Sequence, residues 1–454
     1  MPPGVMPPGV SLYSSLLIAL LLAAKVAAAV PPINRTTRHI FFMKSPTSSP
    51  LPNCTWSMVQ QDPSSFSQRN MQDMLNALNI TDDYPQNPTM KVGLTFQWEL
   101  LDCFLSPHTC TAAQIQTGIL NFLNAAVAIQ TPVEITLDPI QFYYASNLWN
   151  WYDPKQPGYD PANIANVEWT GWSVKNATMI SWRNWGSQFR LPTPQPNIAS
   201  EQFISQTQTI LFAVMTTIKT WYEKQTVENQ QLLVGIKLGE EVDTGANFYF
   251  YPHGNEIYER HNKSTDPDYG PDWSQGIAGG LQAQGYNMLQ TLNIRAEGGP
   301  PTRHEITMGV RHYFTQIIQA CTNAWPELQH NHLLVTHGGL VGDPLLIEWN
   351  SPMVEPAIPG YSSYNGPGKP MGQPGLKHAL DSYAYSNNTF VIAEAACFEC
   401  KTKEQWVNYF TTVFNNPYGK VKYMRYYNID PFVSAPGSLE GLREFVEGYN
   451  GGGG

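Results

Sequence analysis

Apolar residues recur along the chain at two spacings. In the segment 111–130, Ile115, Ile119, Phe122, Ala126 and Ile129 fall on one side of a 3.6-residue period, which predicts an amphipathic helix. Thr111 and Gln114 precede that stripe as a capping box able to satisfy the first free backbone N–H groups. The same pattern returns at 200–228, with Phe203, Thr207, Ile210, Val214, Ile218 and Trp221 on one face. It returns again at 302–324, where Thr302 and Glu305 form a second box ahead of Ile306, Val310, Phe314, Ile317 and Cys321. A helix starting at Thr402, with Gln405 at the box position, and a last one at 438–449 complete the set. Between them lie short β-rich runs: 90–98, 132–144 (broken by Pro139), 177–182, 231–239, 332–337, 390–395 and 421–429. Several are continuously apolar rather than alternating, as befits parallel strands buried on both faces.

Strands alternating with helices imply a parallel sheet with right-handed crossovers. The count points to an α/β fold, a (β/α)8 barrel of the TIM type with long loop insertions over residues 89–448. One strand, the sixth, has to lie between 344 and 385, where PLLIEW and ALDSYAY compete for it. An open doubly wound sheet would carry a Gly-rich phosphate turn after its first strand. The Gly-rich stretch 366–375 is broken by prolines and follows no strand, so it reads as a loop. Residues 30–88 read as an N-terminal extension packed on the barrel, 243–300 as an insertion after the fourth strand, and 449–454 as a disordered tail.

The 454-residue chain carries a net charge of −10 and only 14% charged residues. That argues against nucleic acid, which needs clustered Lys and Arg, and no basic block of the membrane-binding kind is present. Residues 11–30 form an apolar run too short to span a bilayer. Ala27 and Ala29 provide small residues for cleavage, so residues 1–29 read as a secretory signal peptide, although its leader lacks a basic residue and Lys25 interrupts the run. No membrane association is expected after cleavage. Sequons at Asn34, Asn53, Asn79, Asn176, Asn262 and Asn387 fit a secreted or lumenal glycoprotein. So does an even set of six cysteines, Cys54, Cys103, Cys110, Cys321, Cys397 and Cys400, read as disulfides with Cys103–Cys110 as a local loop. Cys321, on a helix stripe, reads equally as a buried thiol. The single CxxC at 397–400 has no second pair to complete a zinc site.

Aromatics reach 12%, with 13 Trp and 23 Tyr. In barrel enzymes the chemistry lies at the carboxyl ends of the strands. There the chain places Trp98 and Glu99 (first strand), Trp182, Arg183, Asn184 and Trp185 (third), Glu240 and Glu241 (fourth), His337 (fifth), Glu394 (seventh) and Tyr427 (eighth). Carboxylates can donate protons or attack, flat aromatic faces can stack on pyranose rings, and amides, His and Arg can bind hydroxyls. The expected partner is a carbohydrate. Glycoside hydrolysis needs two carboxyl groups flanking one bond, about 5–5.5 Å apart in retaining enzymes. Glu394 sits among small apolar residues with no neighbouring Lys or Arg, which favours chemistry over an ordinary ion pair. Trp98, Trp182 and Trp185 divide evenly between core and sugar-binding walls, and His337 is more simply a satisfied strand-end histidine.

A Glu ending strand four and a Glu ending strand seven resemble clan A of the glycoside hydrolases, the retaining (β/α)8-barrel enzymes, over roughly 90–448. The resemblance implies Glu241 as acid/base and Glu394 as nucleophile. The clan usually has Asn directly before its acid/base. Here Glu240 stands there, which leaves Glu240 as an alternative for the role and implies a different contact to the sugar 2-hydroxyl. The same likeness implies an aromatic near strand six, for which Tyr383 or Tyr385 would serve.

No cofactor or metal is expected. His332 and His337 would be roughly 16 Å apart along a strand. The HEITM stretch has Met308 where a zinc-protease helix needs His, and no Gly-x-Ser-x-Gly elbow supports a serine hydrolase. Two further readings stay open: a catalytically silent barrel that binds glycans, and a structural glycoprotein whose 243–300 and 340–375 loops cover the strand ends. Sugar, linkage, endo or exo action and oligomeric state are not encoded in these patterns.

Overall fold

The computed structural model describes residues 37–43, 62–79, 88–105, 111–179, 181–184, 188–191, 193–244, 248–249, 283–339 and 347–451. Its eight apolar runs pair in parallel and close on themselves. In chain order the barrel strands are Arg38–Met43, Met90–Glu99, Val133–Asp138, Leu233–Val242, Leu334–Gly338, Ile358–Ser363, Thr389–Ala395 and Lys420–Tyr426. Closure is made by strand one, which pairs with strand two on one side and strand eight on the other.

The helices read from the apolar stripes surround the barrel. Ala112–Ala128 and Arg303–Ala324 each begin with the capping box expected at Thr111/Gln114 and Thr302/Glu305. Thr402 caps Lys403–Phe414 through the Gln405 amide. Glu201–Glu223 and Ser438–Gly451 complete the longer ones. Two apolar layers result. The larger lies between strands and helices. The smaller, Phe41, Val234, Val335, Ile358, Val391, Ala393 and Tyr423, comes from six strands and plugs the barrel interior. Toward the carboxyl ends the interior turns polar, with Gln97, Asp138, Lys237, His337 and Arg425 all buried.

Four sequence expectations need correction. The segment 30–88 is not wholly an extension, because Arg38–Met43 is barrel strand one. A six-residue strand buried on both faces shows no period, and Pro-rich flanks disguised it. The 177–182 run is no barrel strand. Ser181–Asn184 pairs antiparallel with Gln188–Leu191, from the connection between strands three and four, and with Phe248–Tyr249, from the connection between strands four and five, in a separate three-stranded sheet. Strand six is neither of its two candidates but Ile358–Ser363, whose Pro359 and Gly360 read as a turn. Gly360 is needed there because a Cβ would meet Thr336 O at 2.7 Å and the Ala393 Cβ at 2.9 Å. Residues 449–451 belong to the last helix rather than to a tail.

The proposed leader 1–29 and the sequons Asn34, Asn53 and Asn262 lie outside the described residues, as do Cys54 and Cys110. Cys397 and Cys400 form a disulfide, and Cys321 is a buried free thiol. Among the described residues no helix is long and apolar enough to cross a membrane.

Candidate active site

Two neighbouring residues of a regular strand point to opposite faces, so Glu240 and Glu241 should not share one site. Strand four solves this with a bulge. Its register against strand five shifts between Leu238 and Val242, and Gly239 (φ 78°) and Glu241 (φ 48°) lie in the left-handed region. Glycine tolerates that conformation, and a Cβ at 239 would strike the Val242 Cγ2 at 2.3 Å. The bulge turns both carboxylates toward the barrel mouth. Strand seven has a comparable shift against strand six, between Ile392 and Glu394.

Glu240 lies on two cations. Its Oε2 accepts from Lys237 Nζ and from Arg425 Nη1, each at 2.6 Å. Both bases are fully buried and further anchored: Lys237 donates to Ala393 O at 3.2 Å and Arg425 to Gln97 Oε1 at 3.1 Å. Gln97 in turn donates to Asp138 at 3.1 Å. Burial alone would raise the Glu240 pKa, but Arg425 and Lys237 overcome it and hold the carboxyl well below its usual range.

Glu394 goes the other way. Burial comes first, then the Glu240 carboxylate beside it and Glu241, and together they push its pKa well above the usual carboxylate value. Atoms of Glu240, His337 and Glu394 lie within 4.8 Å of one another, with His337 Nδ1 3.3 Å from Glu240 Oε1. Tyr364, one residue past strand six, donates to Glu394 Oε1 at 2.5 Å.

Glu241 is buried and accepts from the Ser362 hydroxyl. Because that proton is committed, His337 Nε2, 2.9 Å from Ser362 Oγ, must be the donor of that pair. His337 Nδ1 is then the acceptor, taking the Glu241 amide N–H at 3.2 Å. Burial, then Lys237, lowers the His337 pKa to about 4. His337 is therefore a neutral strut that fixes the Glu241 backbone.

A divalent ion bound to Glu240, His337 and Glu394 would sit beside the fixed charges of Lys237 and Arg425. Those bases already occupy Glu240 Oε2, so the donor set suits a proton-sharing site better than a metal.

The other sequence candidates divide. Tyr427 lies at the mouth: burial, then Glu394, raises its hydroxyl pKa to about 12. Glu99 is half-buried at the end of strand two, close enough to Tyr144 to raise its pKa together with burial and Asp102. Trp98 is not a sugar-facing wall. Gln97 points into the barrel, so Trp98 faces the helices, where it packs on Phe66 and Phe122 at ring distances of 5.4 and 5.5 Å. Trp182, Arg183 and Asn184 are in the antiparallel sheet rather than at a barrel strand end, and Trp185 lies outside the described residues. Tyr383 and Tyr385 bond to Ala357 O and Gln329 O, at the amino-terminal side of the strands. The aromatic that touches the site is Tyr364.

Sequence reasoning missed Lys237, Arg425, Ser362 and Tyr364. One signal was available: Lys237 and Arg425 stand two residues after Gly235 and Tyr423, which meet inside the barrel, so both point inward.

No protein-family model and no curated protein matches the chain. Solved structures with a similar course include an exo-β-1,4-mannosidase from Opitutaceae bacterium strain TAV5, at 10% identity and TM-score 0.41, over 91% of this chain and 60% of that one. A β-amylase catalytic domain from Paenibacillus polymyxa is similar at 9% identity and TM-score 0.42, over 92% and 99%. A family 5 xyloglucanase from Paenibacillus pabuli is similar at 9% identity and TM-score 0.41, over 91% and 99%. Likenesses this weak say nothing of activity, and the barrel rests on its own strand pairing.

Proposed function

We propose that the protein is a retaining glycoside hydrolase, with Glu394 as nucleophile and Glu241 as acid/base, acting in the secretory pathway or outside the cell. The observation that carries this reading is the convergence of carboxylates from strands four and seven at one barrel mouth. A retaining site needs space for the anomeric carbon between its two carboxyls. Glu240 Oε2 is held by Lys237 and Arg425, which keep that carboxyl ionised and unfit to donate a proton, so Glu241 is the better acid/base. The Glu394 proton would first pass to Glu241, which would give it to the leaving oxygen while the Glu394 carboxylate attacks the anomeric carbon. Water would then lose a proton to Glu241, attack the same carbon and release Glu394. Exposed Asn79, Asn176 and Asn387 and the Cys397–Cys400 disulfide support the oxidising compartment.

A silent glycan-binding barrel is the second reading. It is favoured by the burial and the neighbouring carboxylates that raise the Glu394 pKa and oppose the ionised form a nucleophile needs. The deciding experiment is hydrolysis of a panel of aryl glycosides and polysaccharides by wild type and Glu394→Gln, joined to trapping with 2-deoxy-2-fluoroglycosides and peptide mass spectrometry. Turnover lost by several orders of magnitude in the variant, with label on Glu394, is the expected result. Label on Glu240 or Glu241 would reverse the roles. No turnover on any glycoside, with glycan binding kept, would establish the silent barrel.

A further inference from the structure

Directly after strand seven the chain runs Cys397-Phe398-Glu399-Cys400. Both cysteines are buried and bonded to each other, and Cys397 N–H points to the Tyr426 hydroxyl at 3.4 Å. The two residues between them are pushed outward. Glu399 turns aside to Lys369 at 3.2 Å. Phe398 is 69% exposed, more than any other large apolar side chain described. A largely exposed aromatic ring adds little to the core, and a closed loop this small removes little chain entropy.

The ring is not isolated. It lies nearly parallel to Tyr364, with centroids 6.1 Å apart and planes inclined by 23°. Tyr364 itself donates to Glu394, so the pair forms a continuous aromatic surface from the candidate nucleophile to the rim. Tyr427, 40% exposed and just past strand eight, stands near the same carboxylates.

We infer that Tyr364 and Phe398 form a stacking platform for an uncharged pyranose unit of the substrate, adjoining the unit held at Glu394, with the Cys397–Cys400 disulfide fixing its position. The inference rests on the proposed glycoside-binding role of the mouth. Aromatic faces take the C–H face of a pyranose and exclude water from it. Stacking on a ring face is an apolar contact that offers no counter-charge to a carboxylate, so a uronate gains nothing there over a neutral sugar.

The test is binding to the intact oxidised protein. Hexasaccharides of β-1,4-linked glucose, mannose and xylose, and a galacturonate hexamer as the anionic probe, are titrated calorimetrically against Glu394→Gln alone and with added Phe398→Ala or Phe398→Trp. The expected result is a neutral hexasaccharide bound by the parent, weakened on the order of tenfold by Phe398→Ala and retained by Phe398→Trp. Replacing both cysteines (C397S/C400S) is expected to weaken binding similarly. Equal affinity with and without Phe398 overturns the platform, and tighter binding of the galacturonate hexamer overturns the neutral-sugar assignment. Equal affinity without the disulfide overturns its positioning role. Wild-type hydrolysis is scored separately, so a protein that binds but does not cleave removes the enzyme reading and leaves the platform standing.

Discussion

Glu240 and Glu394 stand together at the barrel mouth, with oxygens within 4.8 Å of each other, and the two carboxyls are driven in opposite directions by their surroundings. Lys237 and Arg425 hold Glu240 ionised. Glu394 is buried beside Glu240 and Glu241, and its pKa rises. Two carboxyls this close titrate as a unit, and a nucleophile in that position must lose its proton before it attacks.

Removing the Glu240 charge should lower the Glu394 pKa, because two of the causes that raise it are gone. The acidic limb of kcat/KM is expected to move to lower pH in Glu240→Gln. The Glu394 carboxyl carbon, titrated by NMR without substrate, should move the same way. An unshifted titration would show that Glu240 does not govern Glu394.

Lys237 is fully buried, so deleting it leaves Glu240 with one cation instead of two. Breaking a buried pair from one side costs about 3–5 kcal/mol. Lys237→Met is expected to lose that much in denaturant unfolding, and adding Glu240→Gln should restore part of it. Strict additivity of the two changes would contradict the coupling.

Glu168 offers a stability test remote from the mouth. It is fully buried and accepts from the amides of Trp169, Gly285 and Met288. Burial outweighs those bonds and raises its pKa to about 8 from 4.5. Between those values the unfolded chain has lost the proton that the folded one keeps. Stability from this group is therefore full below about pH 4.5 and declines up to about 8, by at most about 1.4 kcal/mol per pH unit. Unfolding free energies measured from pH 5 to 8 should fall in wild type, and that slope should be shallower in Glu168→Gln. Parallel profiles would place the ionised form in the fold.

Gly239→Ala adds a Cβ where the backbone is left-handed and Val242 is already in contact. A cost of about 1–3 kcal/mol is expected. If the glycosidase reading holds, most activity should go with it, because the bulge aims both glutamates. A variant of unchanged stability would mean the strand can flatten without penalty.

Much of the fold was legible because helix stripes and capping boxes are local. The Thr111, Thr302 and Thr402 starts depend on a few neighbouring residues, and the structure has them in place. The alternation also located the strand ends that carry Glu240, Glu241, Glu394 and Tyr427, although its count reached eight only because the false strand at 177–182 stood in for the missed strand one. Strand one and strand six escaped. One was a short aperiodic run between proline-rich segments, and the other carries Pro359 and Gly360, which local propensity assigns to a turn and neighbouring backbones require in a strand.

The sequence by itself determined the class of fold and which carboxylates stand at strand ends, since both follow from period and count. Tertiary structure alone decided what those carboxylates are. Lys237 from strand four and Arg425 from strand eight meet on Glu240 only when the barrel closes. Tyr364 reaches Glu394 only because strands six and seven lie side by side, and Trp98 faces the helices because Gln97 faces in. Charge state depends on distance in space, and residues 185 positions apart along the chain, Glu240 and Arg425, come to lie 2.6 Å apart only through the fold.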